Sequence, residues 1–336
     1  MSDYVVAIAG ATGAVGAEMI RTLEKRRFPV KRLKLLASER SAGKRLTFRG
    51  TEIAVETLTE DSFEGVELAL FSAGAERSRL FVPAAVTAGA VVVDNSSAFR
   101  MDEAVPLVVP EVNPQEVKRH RGISANPNCS TIIAVVPLWP LHQAARITRL
   151  VAATYQAVSG TGAKAIEELE KQVRAWTAGA PLERAVYPHQ IAFNVLPQVG
   201  AADASGYTQE EKKLLHETRK IFADGHIRVS ATCVRVPVFR AHSEALFIET
   251  ERKLAVAEAR AILARAPGVI LKDDVNAHQY PMPIEASGRD EVLVGRVRED
   301  SSCDRGLALW VAGDQLLKGA ALNAVQIAEI LYGLKH

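Results

Sequence analysis

Three glycines at intervals of three residues follow the first apolar segment, and this feature restricts the fold most. The segment 4–9 is apolar and partly β-branched, and it leads into Gly10, Gly13 and Gly16. Residues 17–23 then carry apolar side chains at helical spacing. A glycine triplet alone also fits a plain tight turn. Its position after a strand favours a dinucleotide site, where glycines let the backbone approach a pyrophosphate at a helix N-terminus.

Short apolar segments alternate with helical ones over the first part of the chain. The predicted helix is 77–88, and the predicted strands are 4–9, 33–37, 52–56, 68–72 and 91–94. This alternation predicts an α/β fold with a Rossmann-like, doubly wound parallel sheet.

From about residue 148 the pattern changes to longer strands. We predict strands at 149–156, 230–238 and 243–250, and a helix at 163–176 whose apolar stripe is Ile166, Leu169, Val173 and Trp176. These elements predict a second, α+β domain on a mixed or antiparallel sheet. The final segment, 315–334, predicts one amphipathic helix that returns to the first domain. The predicted domains are therefore 1–127, 128–313 and the C-terminal helix region 314–336.

Composition excludes several classes of protein. The chain of 336 residues has room for two domains, and its net charge of +2 does not indicate a nucleic-acid surface. The longest apolar stretch, 132–141, contains two prolines and is far shorter than the ~20 residues of a membrane helix. Cys129, Cys233 and Cys303 are too widely spaced for a disulfide framework or a metal site, so we expect no metal and a cytoplasmic location.

The residues after the second predicted strand indicate which cofactor is bound. An NAD enzyme usually has an acid there, which accepts a hydrogen bond from the ribose. Here the chain offers Ser38, Arg40 and Ser41, which suit the 2′-phosphate of NADP. Glu39 lies among them and could serve NAD if it turned inward. We favour NADP.

Cys129 is the predicted nucleophile. Asn128 before it is a good helix N-cap, and an apolar helical run follows. A cysteine in the first turn of a helix is favoured as a thiolate. The alternative is a buried structural cysteine, which we assign to Cys233 in its alternating strand. A thiolate beside a nicotinamide can attack an activated acyl group, and hydride can then reduce the resulting thioester.

Arg235 and His242 are the next candidates. An arginine in an apolar strand needs an anionic partner, which is either a structural or a substrate carboxylate. The ordinary pKa of histidine, ~6.5, suits His242 to proton transfer near neutral pH. Seven residues apart on either side of a turn at Pro237, both are expected on adjacent antiparallel strands facing one pocket.

The chain resembles the aspartate-semialdehyde dehydrogenases, in their shorter bacterial form, over nearly its whole length. The matching segments are 10–16, 38–44, 71–74, 93–96, 126–131, 154–160, 234–237 and 241–244.

The resemblance implies roles for individual residues. Cys129 matches the nucleophile, His242 the general acid/base and Gln156 the residue that orients the substrate. Substrate-binding matches are Arg235 for the α-carboxylate, Glu210 and Lys213 for the ammonium and phosphate, Arg100 for the phosphate, and Asn128 beside the nucleophile. Cofactor-binding matches are Gly10, Thr12, Gly13, Ala14, Val15, Gly16, Ser38, Arg40, Ser41, Ser72, Gly74, Ser159, Gly160 and Gln315.

One pair of these residues also has a plainer interpretation, and one position departs from the family pattern. Glu210 and Lys213, three residues apart on a helix, could be a solvated ion pair. Gln315 stands where many family members have asparagine, which keeps the amide but changes its reach.

The resemblance implies NADPH-dependent conversion of L-aspartyl 4-phosphate into L-aspartate 4-semialdehyde and phosphate, in amino-acid biosynthesis. It also implies a homodimer or homotetramer built through the second domain, with no nucleic-acid or membrane partner. Two alternatives stay open: another acyl-phosphate reductase, such as one acting on N-acetylglutamyl phosphate, and an inactive NADP-binding regulator.

Overall fold

The computed structural model describes residues 3–334. Met1 and Ser2 of the predicted first domain, and Lys335 and His336 of the predicted C-terminal region, lie outside the described residues. The described chain divides into two compact units. Unit 1 comprises the residues up to Asn128 together with those from Ala320 onward, and unit 2 comprises Cys129–Gly319.

Unit 1 is built on a seven-stranded sheet in the order β3-β4-β2-β1-β5-β6-β7. All neighbouring pairs are parallel except β3–β4 at one edge. The strands are β1 Tyr4–Ala9, β2 Val30–Ala37, β3 Arg45–Phe48, β4 Thr51–Thr57, β5 Leu68–Phe71, β6 Val91–Asp94 and β7 Ile123–Ala125. The central strands are buried on both faces, as their continuous apolar runs require. The predicted Rossmann-like sheet is confirmed.

Three helices of unit 1 complete its layers: α1 Ala14–Lys25, α2 Ala75–Thr87 and α8 Leu322–Leu331. Buried residues of α8 pack in one hydrophobic core with Met19 and Leu23 of α1. Arg26 also pairs with Glu329 at 2.6 Å. The predicted return of the C-terminal helix to the first domain is therefore confirmed.

The predicted start of that helix was wrong. Residues 315–316 form a turn and Leu317–Ala321 form a π-helical turn before α8 begins at Leu322. Asp314 Oδ1 accepts the backbone N–H groups of Leu316 and Leu317, at 2.9 and 3.1 Å, which fixes this separate turn. The apolar periodicity of the sequence continues through a π-helical turn, and therefore this periodicity did not show that the α-helix begins only at Leu322.

Unit 2 contains a six-stranded mixed sheet in the order β11-β12-β13-β10-β8-β9. The strands are β8 Ile147–Gln156, β9 Arg228–Arg235, β10 His242–Thr250, β11 Val269–Leu271, β12 Val292–Glu299 and β13 Gly306–Gly313. β8 pairs parallel with β9 and antiparallel with β10. The predicted extension of β9 to residue 238 was wrong, because Pro237 has no N–H to donate to a ladder.

The helices of unit 2 are α3 Cys129–Ala145, α4 Ala163–Thr177, α5 Gln209–Phe222, α6 Val256–Leu263 and α7 Pro283–Ala286. The predicted apolar stripe of α4 was only partly right, since Trp176 is 59% exposed. The buried positions of α4 are Ala165, Glu168, Leu169 and Gln172. Two polar side chains thus face inward, and their partners are described below. No helix within residues 3–334 is both long enough and apolar enough to cross a membrane.

Candidate active site

The glycine turn of unit 1 is shaped by close backbone packing. Gly10 has φ 90°, and a Cβ there would overlap the Ser72 carbonyl oxygen. A Cβ on Gly16 would overlap the carbonyl oxygen of Gly10, so the third glycine lets α1 lie against the turn. Gly13 is the N-cap of α1 and places no side chain over the first amides of the helix. A helix N-terminus left open in this way fits the pyrophosphate of a dinucleotide.

Other predicted cofactor residues lie on loops at the carboxyl ends of neighbouring strands. Ser41, on the 3₁₀ helix Glu39–Ser41 after β2, accepts a hydrogen bond from Thr12 Oγ1 at 3.4 Å. Ser72 follows β5, and Gly74 (φ 89°) is the N-cap of α2. In open parallel sheets this edge is where ligands bind. Arg40 and Glu39 are both exposed, so either side chain can turn towards a ligand.

Arg100 has a structural role in unit 1. It is 7% exposed, and it donates from Nε to the Asn126 carbonyl and from Nη2 to the Asn95 carbonyl, both at 2.9 Å. Asn126 is also held through its side chain by Asn323, at 2.7 Å. The guanidinium therefore stabilises the loop that leads to Asn128.

Cys129 is the first residue of α3 and is partly exposed. It is not sealed in the core, unlike Cys233, which is 0% exposed and whose thiol pKa is raised by burial. The open end of a helix stabilises negative charge, which favours the reactive form of a thiol. Gly319, on the π-helical turn, packs directly on this residue: a Cβ there would lie 2.8 Å from Cys129 Cβ.

Gly319→Ala is expected to lower kcat by about 100-fold, because shifting a reacting group by roughly 1 Å has an effect of this size. The added methyl would also meet Cys129 Cα at 3.2 Å, so the backbone at the start of α3 must move. Gly225→Ala is the matched control, since a Cβ there meets nothing within 4 Å. Steady-state kinetics of both variants test this prediction, and equal activities would contradict it.

Gln156, Arg235 and His242 stand in one row across three strands. Gln156 of β8 is in register with Arg235 of β9. His242 begins β10, one residue before Ser243, which pairs with Tyr155. The expectation that Arg235 and His242 lie on adjacent strands was wrong, because β8 lies between them. The row still brings all three side chains to one end of the same sheet face.

Arg235 places a buried guanidinium at the end of β9. It is 6% exposed, and its Nη1 donates to the Ala157 carbonyl at 2.7 Å. No carboxylate within residues 3–334 forms an ion pair with it. The described residues therefore do not supply the structural carboxylate that was one of the two predicted partners. A buried guanidinium in this state suits an anionic ligand that can accept two parallel hydrogen bonds.

His242 is fully buried, and its Nδ1 accepts the backbone N–H of Ala157 at 3.0 Å. This bond places the proton of the neutral ring on Nε2, which has no partner among the described residues. Burial first, and the charge of Arg235 second, lower the pKa of His242 to about 3. The expectation of an ordinary histidine pKa was therefore wrong: the ring is neutral and offers an Nε2–H donor.

Gly160 and Ser159 lie on the 3₁₀ helix Val158–Thr161, beside this row. A Cβ on Gly160 would lie 2.9 Å from Arg235 Nη1 and 3.1 Å from His242 Nε2. Ser159 Oγ accepts a hydrogen bond from Gln315 Nε2, and Gln315 Oε1 accepts the Ala241 N–H at 2.8 Å. Both polar atoms of the Gln315 amide thus make hydrogen bonds within the protein, and they connect Ser159 with Ala241, the residue before β10.

Glu210 and Lys213 lie on α5 and form an ion pair of 3.0 Å. The pair is not simply solvated, because Glu210 is only 8% exposed and its Oε1 accepts Gln156 Nε2 at 3.2 Å. Gln156 in turn accepts from the Thr154 hydroxyl at 3.3 Å. The carboxylate therefore belongs to the same network as Gln156.

Glu244 is a buried acid that the sequence did not single out. It is 0% exposed, and neither carboxyl oxygen has a hydrogen-bond partner among the described residues. Burial first, and nearby Glu210 second, raise the pKa of Glu244 well above its usual value. Its burial could not be predicted from the residues around it, since a glutamate near a strand start is usually exposed.

Glu244→Gln is expected to become more stable, relative to the parent, as the pH rises. Below the unfolded pKa of about 4.5 the acid is protonated in both states and burial carries no charge penalty. Above it the unfolded chain loses the proton while the folded one keeps it, so parent stability falls by up to ~1.4 kcal/mol per pH unit until the folded pKa is reached. Urea unfolding of both proteins at about pH 5 and about pH 8 measures this. A stability difference that does not change with pH would contradict the prediction.

A doubly wound sheet with a glycine turn suits a nicotinamide dinucleotide, and a cysteine at a helix N-terminus suits a covalent nucleophile, so the two features together define a candidate oxidoreductase that acts through a cysteine. Two family models match: semialdehyde dehydrogenase, NAD binding domain, over residues 5–120, and semialdehyde dehydrogenase, dimerisation domain, over residues 138–318. The aspartate-semialdehyde dehydrogenase of Aquifex aeolicus is 56% identical, covering 98% of each chain.

Solved structures similar to this chain belong to the same family as its sequence relatives. The crystal structure of aspartate semialdehyde dehydrogenase II of Vibrio cholerae complexed with ASA has a TM-score of 0.96 at 46% identity and covers 99% of each chain. The enzyme of Candida albicans with NADP has a TM-score of 0.77 at 26% identity, covering 98% of this chain and 99% of that one. The chain belongs to the aspartate-semialdehyde dehydrogenases, a family of oxidoreductases, as the motifs indicated.

Proposed function

We propose that this protein interconverts L-aspartyl 4-phosphate and L-aspartate 4-semialdehyde with NADP(H) and phosphate, through a thioester on Cys129, in amino-acid biosynthesis. The observation that carries the proposal is the buried Arg235, which has no acidic partner within residues 3–334 and lies beside the Nε2 atom of His242. An α-carboxylate would neutralise the guanidinium. The names of the relatives support this substrate over an N-acetylated one.

Cys129 carries the covalent step. Its thiolate attacks the acyl carbon, so that a carbon–sulfur bond forms and the carbon–oxygen bond to phosphate breaks. The phosphate leaves with the electron pair. A bound NADPH then supplies the hydride for reduction. When the resulting hemithioacetal collapses, sulfur leaves with its electron pair and the aldehyde is released.

His242 acts on the substrate oxygen. Because Nδ1 is occupied by the Ala157 N–H, the Nε2 proton is the one that the ring can donate. Negative charge develops on the carbonyl oxygen when the carbon becomes tetrahedral, and an Nε2–H donor stabilises it. The proton stays on Nε2, and the oxygen re-forms the carbonyl double bond as the hemithioacetal collapses and sulfur leaves.

Further residues recognise three groups of the substrate. Arg235 binds the α-carboxylate, and Glu210, held by Gln156, binds the ammonium group. Lys213 and Arg100 bind the phosphate, and Asn128 lies next to the nucleophile in sequence. The burial of Glu210 supports this, because a desolvated carboxylate interacts more strongly with an ammonium than an exposed one does.

The proposed cofactor is NADP, held by the glycine turn 10–16, including Thr12, Ala14 and Val15, and by Ser38, Arg40 and Ser41. The hydroxyl pair Thr12–Ser41 and the exposed Arg40 support a 2′-phosphate site. We expect a KM for NADPH at least about tenfold below that for NADH. Arg40→Ala should raise the KM for NADPH and leave that for NADH nearly unchanged. A lower KM for NADH in the parent would overturn the assignment.

The proposed oligomer is a homodimer or homotetramer formed through unit 2. The face of its sheet opposite the site row leaves Tyr155 39% exposed, with its ring 5.1 Å from that of Trp310. A cavity of about 380 Å³ borders Trp310 on this face. The matching family domain is described as a dimerisation domain. Light scattering would test the assembly, and a monomer would contradict it. A cytoplasmic location stays a prediction.

Phosphate-dependent reduction of NADP by aspartate semialdehyde tests the proposed activity. We expect the purified protein to reduce NADP with this aldehyde only when phosphate or arsenate is present. N-acetylglutamate semialdehyde should react far more slowly. Cofactor binding without any turnover would instead support an inactive regulator, and faster reaction of the N-acetylated aldehyde would support another acyl-phosphate reductase.

A further inference from the structure

The segment 183–196 of unit 2 has an ordered path without a helix or strand of its own. It contains bends and turns, and only Leu196 makes an isolated bridge. A segment of this kind must satisfy its backbone N–H groups in another way, because unpaired buried amides are costly. Two side chains of α4 supply most of the acceptors.

Glu168 is the first of these side chains. It is 5% exposed, and its carboxylate accepts the backbone N–H groups of Ala185, Val186 and Tyr187. The bond to Ala185 is 2.7 Å and that to Tyr187 is 3.4 Å. Charge-assisted bonds to three consecutive amides hold the first part of the segment to α4.

Gln172, one turn further along α4, is the second. It is 1% exposed, and its Oε1 accepts the N–H groups of Ile191 and Ala192 at 3.1 and 3.0 Å. Its Nε2 donates to the Glu183 carbonyl at 2.8 Å. Ile191 and Ala192 also pack in the small core that includes Val158.

The segment reaches the site row at two places. Tyr187 Oη donates to Thr161 Oγ1 at 2.9 Å, and Thr161 ends the 3₁₀ helix that contains Gly160. Leu196 and Arg235 exchange backbone hydrogen bonds of 2.9 and 2.8 Å. One continuous segment thus connects α4 with the main chain of Arg235 and with the turn that lies over its guanidinium.

We propose that Glu168 and Gln172 are positioning residues for the substrate-binding arginine, acting through the segment 183–196. This inference rests on the proposed function, since it takes Arg235 as the carboxylate-binding residue. Glu168→Gln replaces one acceptor oxygen by an N–H donor. At least one of the three amides then loses its acceptor, and the segment loosens at the end that holds Tyr187.

Glu168→Gln is expected to raise the KM for aspartate semialdehyde about tenfold, with a smaller change in kcat. Amide hydrogen exchange of residues 185–196 should become faster in the same variant. Glu167→Gln is the matched control, because Glu167 is the preceding residue of α4, with a side chain 59% exposed and paired with Lys171. It should match the parent in both measurements.

Two further variants separate positioning from general loosening. Tyr187→Phe removes the hydroxyl bond to Thr161, together with the longer contact of 3.5 Å to the Val158 carbonyl, and should raise the same KM by about threefold in a folded protein. In an Arg235→Lys background, Glu168→Gln should add little, because the group that it positions is already altered. Additive effects, faster exchange without a KM change, or unchanged exchange would each overturn the proposal. A parent without phosphate-dependent activity would instead refute the proposed function, whereas the exchange data would still test the anchoring.

Discussion

Cys129→Ala is expected to abolish turnover, with a loss on the order of 10⁴-fold or more, while the affinity for NADPH stays nearly unchanged. Removing the sulfur removes the atom that forms the thioester, and the buried Cys233 cannot replace it. Cys233 is 0% exposed in the core, where burial raises its pKa and so disfavours the thiolate. The glycine turn that we assign to NADP belongs to unit 1, whereas Cys129 belongs to unit 2.

The measurements are the rate of phosphate-dependent NADP reduction and the dissociation constant of NADPH from fluorescence. Cys303→Ser is the control, since this partly exposed thiol lies in the loop before β13 and has no proposed role. It should keep the parent rate. Substantial turnover in Cys129→Ala would end the thioester mechanism, and loss of NADPH binding together with turnover would point to misfolding.

Features that depend on local chain geometry could be predicted from the sequence. The turn at Gly10, Gly13 and Gly16 depends on backbone conformations and close approaches that only glycine allows, so the glycine pattern itself predicts the turn. The start of a helix at Cys129 could be predicted from Asn128, a residue type that favours the N-cap position, and from the apolar run after it. The alternation of strands and helices then restricted unit 1 to a doubly wound sheet.

Features that depend on pairing between distant segments could not be predicted from the sequence. The insertion of β8 between β9 and β10 is set by long-range register, and therefore a short turn between Arg235 and His242 was misread as a hairpin. The lowered pKa of His242 comes from complete burial, which a single sequence does not reveal.

Buried polar side chains were missed for a related reason. Glu168 and Gln172 look like solvent-facing residues of a polar helix, because nothing near them in sequence shows that another segment brings its amides there. The same holds for the backbone of Ala157, whose N–H donates to His242 and whose carbonyl accepts from Arg235. Backbone atoms carry no sequence signal at all.

Arg235→Lys is expected to raise the KM for aspartate semialdehyde by about 30-fold, the equivalent of ~2 kcal/mol for a lost charged hydrogen bond, with a smaller effect on kcat. Lysine keeps the positive charge but has no planar pair of donors for a carboxylate. It would also have to satisfy the Ala157 carbonyl, which now accepts from Nη1 at 2.7 Å, with the same ammonium group.

The split between KM and kcat distinguishes binding from chemistry at this position. A residue that binds the carboxylate equally in the ground and transition states changes KM, whereas one that acts on the reacting carbonyl lowers kcat. Arg252→Lys is the matched control, because Arg252 is half exposed and pairs with Glu258 at 2.7 Å. A parental KM in Arg235→Lys would mean that the buried guanidinium serves the Ala157 carbonyl alone, and the substrate assignment would then lose its main physical support.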